Sequence, residues 1–463
     1  MPRFPRKLRA PLLAALCVPI LPLAAQEAGG LKLSFGIDQR FEAGRNLGLR
    51  IPDEGTSALA TTRFSARLES ETRTQRFVLD TGGLLRLGQS PNARTGFDDP
   101  RFNFSYRRDG ANSGFTISAD YRRSQIDFLR ALQDFVNEEG ELELPPDFDG
   151  LTGTGTRVNF GGSAQLVLGR EGPLGLTLRA SRRDLTYQGA TSPSLFDTRR
   201  ESYGASLRMQ LAPTVTGTLN VDDDRYRAQN LANTDRRTMR LSYGVRYEVS
   251  PALRLDASLG ATRVETTEFG VTTRAGGGTG QLGLELDVPD GRWTARLGSL
   301  RSVGGGSARL EAVVGRNREL PRGALDARLG LTRTGNGPVA VIGGLNWRHD
   351  LPTGRLSARI DRAVSTNILD EERIATVVAL NYSQEINAVS GFGLGLSLSM
   401  TEGTATTNRV TRTDVTASYR HALTEDWGLN AGVAYRVRDE AGVGTATSPS
   451  AFISIGRRFN LRP

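Results

Sequence analysis

The sequence predicts an all-β fold: a transmembrane up-and-down antiparallel β-barrel of about 22 strands (range about 18 to 22) with short turns on one side and long loops on the other. Three observations carry this. Apolar and polar residues alternate with period two along nearly the whole chain, short turns alternate with longer polar connections, and aromatic residues flank the apolar face.

Composition sets the frame. The 463 residues are only 38% hydrophobic, with a mean hydropathy of −0.33, yet include 54 glycines and one cysteine. Bulky apolar residues are too few for several soluble cores, while the periodic patterning excludes disorder. No later stretch approaches 18 consecutive apolar residues, which excludes spanning helices. The net charge of +9 points to anionic lipid, lipopolysaccharide or anionic solutes; nucleic acid is not an expected partner of an exported chain.

Taken in order, the chain opens with "MPRFPRKLRAPLLAALCVPILPLAAQ". A basic segment (Arg3, Arg6, Lys7, Arg9), an apolar run from Ala10 to Leu23 and small residues before Gln26 read as a cleaved signal peptide, residues 1–25. Residues 26–463 then form a single barrel domain. Cys17 falls in the leader, and bulky Leu16 before it argues against lipid attachment there, so the exported chain has no disulfide framework.

The two-faced unit follows at once. Leu31, Leu33, Phe35 and Ile37 alternate with Lys32, Ser34, Gly36 and Asp38. Thr62, Phe64, Ala66 and Leu68 alternate with Arg63, Ser65, Arg67 and Glu69; Met239 to Tyr247, Leu325 to Leu331 and Val415 to Leu423 repeat the pattern. Short turns are expected at 170–173, 250–252, 289–292, 351–354 and 424–426. Longer connections are expected at 88–100, 124–156, 184–198, 266–278, 363–373 and 401–411. A soluble solenoid would need one fixed repeat length, and these spacings vary. Trp293, Trp347, Trp427, Tyr247, Tyr382 and Tyr419 sit on the apolar parity near short turns, and Tyr435 at the opposite end. Amphipathic rings at both rims form the interface belt of a lipid-facing wall.

With those patterns in view, the chain resembles a Gram-negative outer-membrane β-barrel of the porin-like kind. "AFISIGRRF" (451–459) resembles the C-terminal insertion signal of that family, in Ile453, Ile455 and Phe459. Arg457 and the trailing "NLRP" depart from it. The resemblance implies outer-membrane lipid, lipopolysaccharide and the barrel assembly machinery as partners, and no cofactor.

If the apolar parity meets lipid, the other parity lines the lumen. It carries Arg63, Arg67, Arg107, Arg122, Arg179, Arg208, Arg240, Arg246, Arg254, Arg328, Arg359, Arg420 and Arg436. Such a wall either favours small anionic solutes in an aqueous channel or pairs with acids on neighbouring strands.

The connection 124–156 is the longest and joins the fifth and sixth segments, making it the third outer loop. Its acids include Asp134, Glu138, Glu139, Glu141, Glu143, Asp147 and Asp149, and "PPDFDG" resembles a stretch of the inward-folded third loop of diffusion porins. Opposite charge favours entry into a basic lumen, where it would form a constriction. The other reading is an exposed helix over "IDFLRALQDFV".

"VDDDRYR" (221–227) is expected to begin another outer loop, its acids solvated rather than metal-binding. "GREGPLG" lies in a hairpin, so it is no phosphate loop. The only two histidines, His349 and His421, fall on the lipid-facing parity, and no metal or catalytic cluster is evident, so no enzyme is expected.

Function is therefore expected to be passive passage of small polar or anionic solutes. A polymer export conduit and a non-conducting surface scaffold are the alternatives. Energised uptake receptors, which carry a large plug before the first strand, are not expected from a first strand so close to the leader.

Overall fold

The computed structural model describes residues 30–89, 95–128, 132–135, 143–301, 307–369, 371–404 and 408–461. The expected leader (1–25) lies outside them, as do Glu138, Glu139, Glu141 and the side chain of Asp134.

Period-two alternation yields strands throughout. They run β1 (Lys32–Arg45), β2 (Thr56–Glu71), β3 (Gln75–Gln89), β4 (Gly96–Asp109), β5 (Ser113–Gln125) and β6 (Thr156–Leu168). Next come β7 (Leu174–Gln188), β8 (Thr198–Ala212), β9 (Val215–Ala228), β10 (Asp235–Glu248), β11 (Leu253–Glu268) and β12 (Val271–Val288). Then follow β13 (Gly291–Arg301), β14 (Ala308–Leu320), β15 (Gly323–Thr334), β16 (Ala340–Leu351) and β17 (Gly354–Thr366). The set ends with β18 (Glu372–Asn387), β19 (Ser390–Thr401), β20 (Val410–Ala422), β21 (Trp427–Glu440) and β22 (Gly444–Leu461).

These 22 strands form one sheet in which each pairs antiparallel with the next, and β1 pairs with β22 from Leu33↔Leu461 to Gly44↔Ser450. Closure leaves no edge, which is what a sheet in hydrocarbon requires. At about 4.8 Å between strands and a tilt of about 40°, such a wall encloses a barrel about 40 Å across. The chain is an outer-membrane β-barrel, with Phe41, Phe64, Leu259, Leu282, Leu297 and Leu329 exposed on its outward parity.

The short turns fall where the turn chemistry places them, at 169–173, 249–252, 289–290, 352–353 and 423–426. In the turn before β13, Arg316 donates to Asp290, and this bond holds the Asp290 carboxyl below the usual carboxylate range.

Two expected loops are strand instead. Residues 266–278 belong almost wholly to β11 and β12, joined by Phe269 (φ +51°) and Gly270 (φ +77°) alone. Two consecutive residues in the left-handed region suit a tight hairpin whose twist matches its strands. The threonines and glycines taken for a loop pair in register, Thr266↔Thr273 and Gly260↔Thr279. "VDDDRYR" lies inside β9, where alternation sends Asp222 and Asp224 inward and Asp223 outward.

The belt aromatics keep the outward parity. Trp293 is exposed, with the Arg316 guanidinium 5.1 Å from its ring. Trp347 stacks on His349 and Tyr419 on His421, and Tyr382 donates to Gln384 (2.7 Å). Tyr247 and Tyr435 are exposed, as are Ile453, Ile455 and Phe459. The departure at Arg457 has a physical basis. Its guanidinium lies over Phe459 (4.4 Å) and Trp427 (5.5 Å) and reaches Asp426 (3.7 Å), an amphipathic cluster at the interface.

Candidate functional site

The lumen divides into two zones. Toward the short turns it is hydrated, with one hollow of about 920 Å³ lined by Arg67, Asp80, Arg101, Asp120, Arg122 and Asn159. A second hollow of about 700 Å³ is lined by Arg208, Arg246, Asp256, Glu285, Arg296 and Arg328. Toward the long loops, the chain itself covers part of the wall, at β18, β19 and β20 among others.

Most of the expected luminal arginines hold acids. Arg67 meets Asp80 (3.4 Å), Arg107 meets Asp109 (2.6 Å), Arg122 meets Asp99 (2.6 Å) and Arg246 meets Asp256 (2.8 Å). Arg254 bridges Glu285 and Asp287, and Arg240 bonds Asp224. Arg328 on β15 reaches Asp361 on β17 (2.9 Å) across Gly344, where a Cβ would lie 2.7 Å from Arg328 Nε. Arg436 on β21 reaches Glu42 on β1 (3.0 Å), and Ser450 on the intervening β22 donates to the same carboxylate (3.1 Å), so the closing seam is tied on its inner face. Arg208 donates to the carbonyls of Gly169, Arg170 and Gly172. Arg63, Arg179 and Arg420 have no ion pair among the described residues; Arg359 also faces inward, paired in register with Asn346 and Ala379. The wall is thus mostly neutralised by cross-strand pairing, with a few arginines left to bias it.

The third outer loop, 126–155, joins β5 to β6 as its place in the chain implies. Its described residues form 3-10 turns at Ile126–Phe128, Leu132–Phe135 and Phe148–Gly150. Ile126 and Leu151 are fully buried with Leu195, and Leu132 with Phe148. Leu132 N–H donates to Asp414 Oδ2 on β20 (2.7 Å). Phe148 lies under the Arg412 guanidinium (3.8 Å), which also donates to its carbonyl (2.9 Å). A loop rooted between β5 and β6 therefore reaches β20 beyond the closing seam.

Its carboxylates fix that placement. Asp147, fully buried, accepts from Arg157 Nε (2.5 Å) and Nη2 (3.0 Å) and from the Tyr187 hydroxyl (2.6 Å). Asp149 pairs with Arg373 of β18 and accepts from the Thr401 hydroxyl (2.8 Å). Asp127 pairs with Arg50 of the loop between β1 and β2, and Arg86 covers Phe128 (3.4 Å). Glu143 bonds Phe135 through its backbone N–H (2.9 Å). A second crossing enters from elsewhere, where Tyr226 of β9 donates to the Ile368 carbonyl in the loop after β17 (2.6 Å).

Sequence reading missed Arg157, Arg373 and Arg412, the cations that hold this loop. Arg412 was within reach, because it shares the parity of Asp414 on a strand already recognised. Arg157 and Arg373 lie at the borders of expected loops, where parity has no reference.

The histidines lie on the outer wall. His421 Nδ1 is 2.9 Å from Ser390 Oγ, its cross-strand partner, and the Tyr419 hydroxyl donates to the same serine (3.1 Å). Among the described residues, no group of His, Cys, Asp and Glu could hold a metal ion.

No family model and no curated protein matches the sequence. Solved structures do match its fold. The FrpB iron transporter from Neisseria meningitidis aligns at 9% identity over 94% of this chain and 83% of that one, with a TM-score of 0.61. The ferric-catecholate import receptor Fiu from E. coli K12 aligns at 10% over 94% and 82%, with a TM-score of 0.57. The siderophore receptor PirA from Pseudomonas aeruginosa aligns at 10% over 94% and 81%, with a TM-score of 0.53. The likeness is one of fold: a closed antiparallel β-barrel of 22 strands. The described part of the chain's own 126–155 loop reaches β18, β19 and β20, so part of the outer lumen is covered.

Proposed function

We propose that this chain is a gated outer-membrane uptake barrel for anionic solutes, with the 126–155 loop as its outer gate. The observation that carries the reading is the docked loop, whose Asp147 and Asp149 occupy Arg157 and Arg373. Each loop carboxylate sits where an incoming anion would, so cargo of that charge competes with the gate for the same cations. The fold neighbours described as handling iron or siderophores support anionic chelates as the cargo class, since ferric catecholates carry net negative charge. The reading gives His349 and His421 no catalytic part.

Planar-bilayer recording tests it. The wild-type barrel is expected to show little or no current. Replacing residues 132–149 with a short Gly-Ser link is expected to give large, steady steps with an anion-directed reversal potential under a salt gradient. Wild-type barrel that conducts as fully as the excised variant would sink the gate.

A further inference from the structure

The outer end of the β17–β18 hairpin does not stand on the rim. Connections above a barrel wall are bathed in water, yet Asn367, Ile368, Arg373 and Ile374 are only 4 to 8% exposed. Parity gives the reason. Glu372 falls on the outward parity of β18, with Leu380 and Tyr382. Its carboxylate nevertheless meets Arg309 of β14 (3.2 Å) and accepts from the Thr334 hydroxyl of β15 (3.3 Å), an in-register pair on the inward parity of their strands. Both hold only if the hairpin end turns over into the barrel mouth.

Its tip then reaches the far wall. β9 lies eight strands from β17 and nine from β18, which in a round barrel about 40 Å across is a span of about 37 Å. The Tyr226 hydroxyl nonetheless donates to the Ile368 carbonyl (2.6 Å). The tip is braced within itself. The Glu371 N–H donates to Asn367 Oδ1 (2.9 Å) and Asn367 Nδ2 to Glu371 Oε2 (2.9 Å), while the Thr404 hydroxyl donates to the same carboxylate (2.6 Å). Successive residues of a strand face opposite ways. With Glu372 turned to β14 and β15, Arg373 is turned to the docked loop, where Asp149 pairs with it. That ion pair is therefore made with a folded-in hairpin end and not with the standing wall.

We propose that Tyr226 and Arg309 are positioning residues for the gate: by holding this hairpin end across the mouth, they present Arg373 to Asp149 and to the anion that displaces it. The role of Arg373 rests on the gated-uptake reading, whereas the inward fold of the hairpin end stands apart from it. A hairpin end that swung back to the rim would carry Arg373 away from Asp149. The 126–155 loop would then lose one of its carboxylate anchors with none of its own residues changed.

The test uses full-length barrel in liposomes, with two readouts. Spin labels on Leu369→Cys at the hairpin end and Gln229→Cys beside β9, in a Cys17→Ser background, report the distance across the mouth, and single-channel recording reports the gate. Without further change, the label separation is expected to fall well short of the about 37 Å of a round mouth. Tyr226→Phe combined with Arg309→Gln is expected to lengthen it toward that value and to raise the open fraction at least tenfold. Arg309→Glu with Glu372→Arg restores the ion pair in reverse and is expected to return both readouts. Heat-modifiable gel mobility verifies folding. If the combined variant does not fold, Tyr226→Phe alone takes its place, expected to move both readouts the same way by less. A round-mouth separation before any seat substitution overturns the inward fold and leaves the loop gate standing. A lengthened separation with an unchanged open fraction overturns the positioning role. If the loop-excised barrel is itself silent, the uptake reading fails and the role of Arg373 with it, while the label separations still decide the inward fold.

Discussion

Substituting Asp147→Ala isolates the gate. The carboxylate is fully buried and accepts three hydrogen bonds, two from Arg157 and one from Tyr187. Its removal leaves the Arg157 guanidinium, only 13% exposed, without compensation. Breaking a buried pair from one side costs about 3–5 kcal/mol. Burying Ile126, Leu132, Phe148 and Leu151 contributes about 1.5–3 kcal/mol each, but ordering the segment costs about 1–2 kcal/mol per residue. With the apolar gain offset in this way, the polar anchors decide whether the loop stays docked. The wall strands keep their own ladder, so the loss falls on the loop as local opening.

At about 1.4 kcal/mol per factor of ten, the docked-to-undocked ratio should fall by about two to three and a half orders of magnitude. Single-channel recording is the assay. Wild-type barrels should be closed for nearly all of the record, whereas Asp147→Ala barrels should open often to a pore of the loop-excised size. Combining Asp147→Ala with Arg157→Met removes the stranded charge as well and should restore much of the closure. A folded Asp147→Ala barrel as silent as wild type would refute the reasoning, as would a double variant that opens more than the single.

Three further outcomes follow from the wall. In an open-gate background, Arg63→Gln, Arg179→Gln and Arg420→Gln together should move the reversal potential from anion-directed toward the unselective value; an unchanged reversal potential would contradict an arginine bias of the lumen. Leu282→Arg places a charge on the exposed lipid face near mid-band and should cost about 2–4 kcal/mol in denaturant-driven unfolding from liposomes, with an unchanged midpoint counting against the assigned parity. Phospholipid vesicles should remain unhydrolysed by wild type despite the Ser390–His421 contact; fatty-acid release that disappears in Ser390→Ala would show that the outer-wall pair is catalytic.

The wall was readable because a barrel strand records its two media residue by residue. Val415, Tyr419 and Trp427 declare lipid, and Arg420 and Asn430 declare the lumen, without reference to any distant residue. Strand number and the place of the third outer loop followed from counting such segments. The same rule misled where a strand continued beyond the membrane. From 266 to 278, no apolar face remains, because neither side meets hydrocarbon, and the segment pairs through Thr266↔Thr273 all the same. In β9, Asp222, Asp223 and Asp224 alternate as faithfully as any apolar triplet, but an acid on both faces conceals the alternation.

The docked loop obeys a different logic. Asp149 and Arg373 are more than 200 residues apart, and nothing local to either specifies the other. Closure of β1 on β22 brings β18–β20 within reach of a loop rooted at β5. In a half-built wall Asp149 has no cation to meet and Leu132 no Asp414 to donate to. The contacts that would make this barrel a gate therefore form after the contacts that make it a barrel. Local pattern can encode the second set, but the first depends on which distant strands the closing seam makes neighbours.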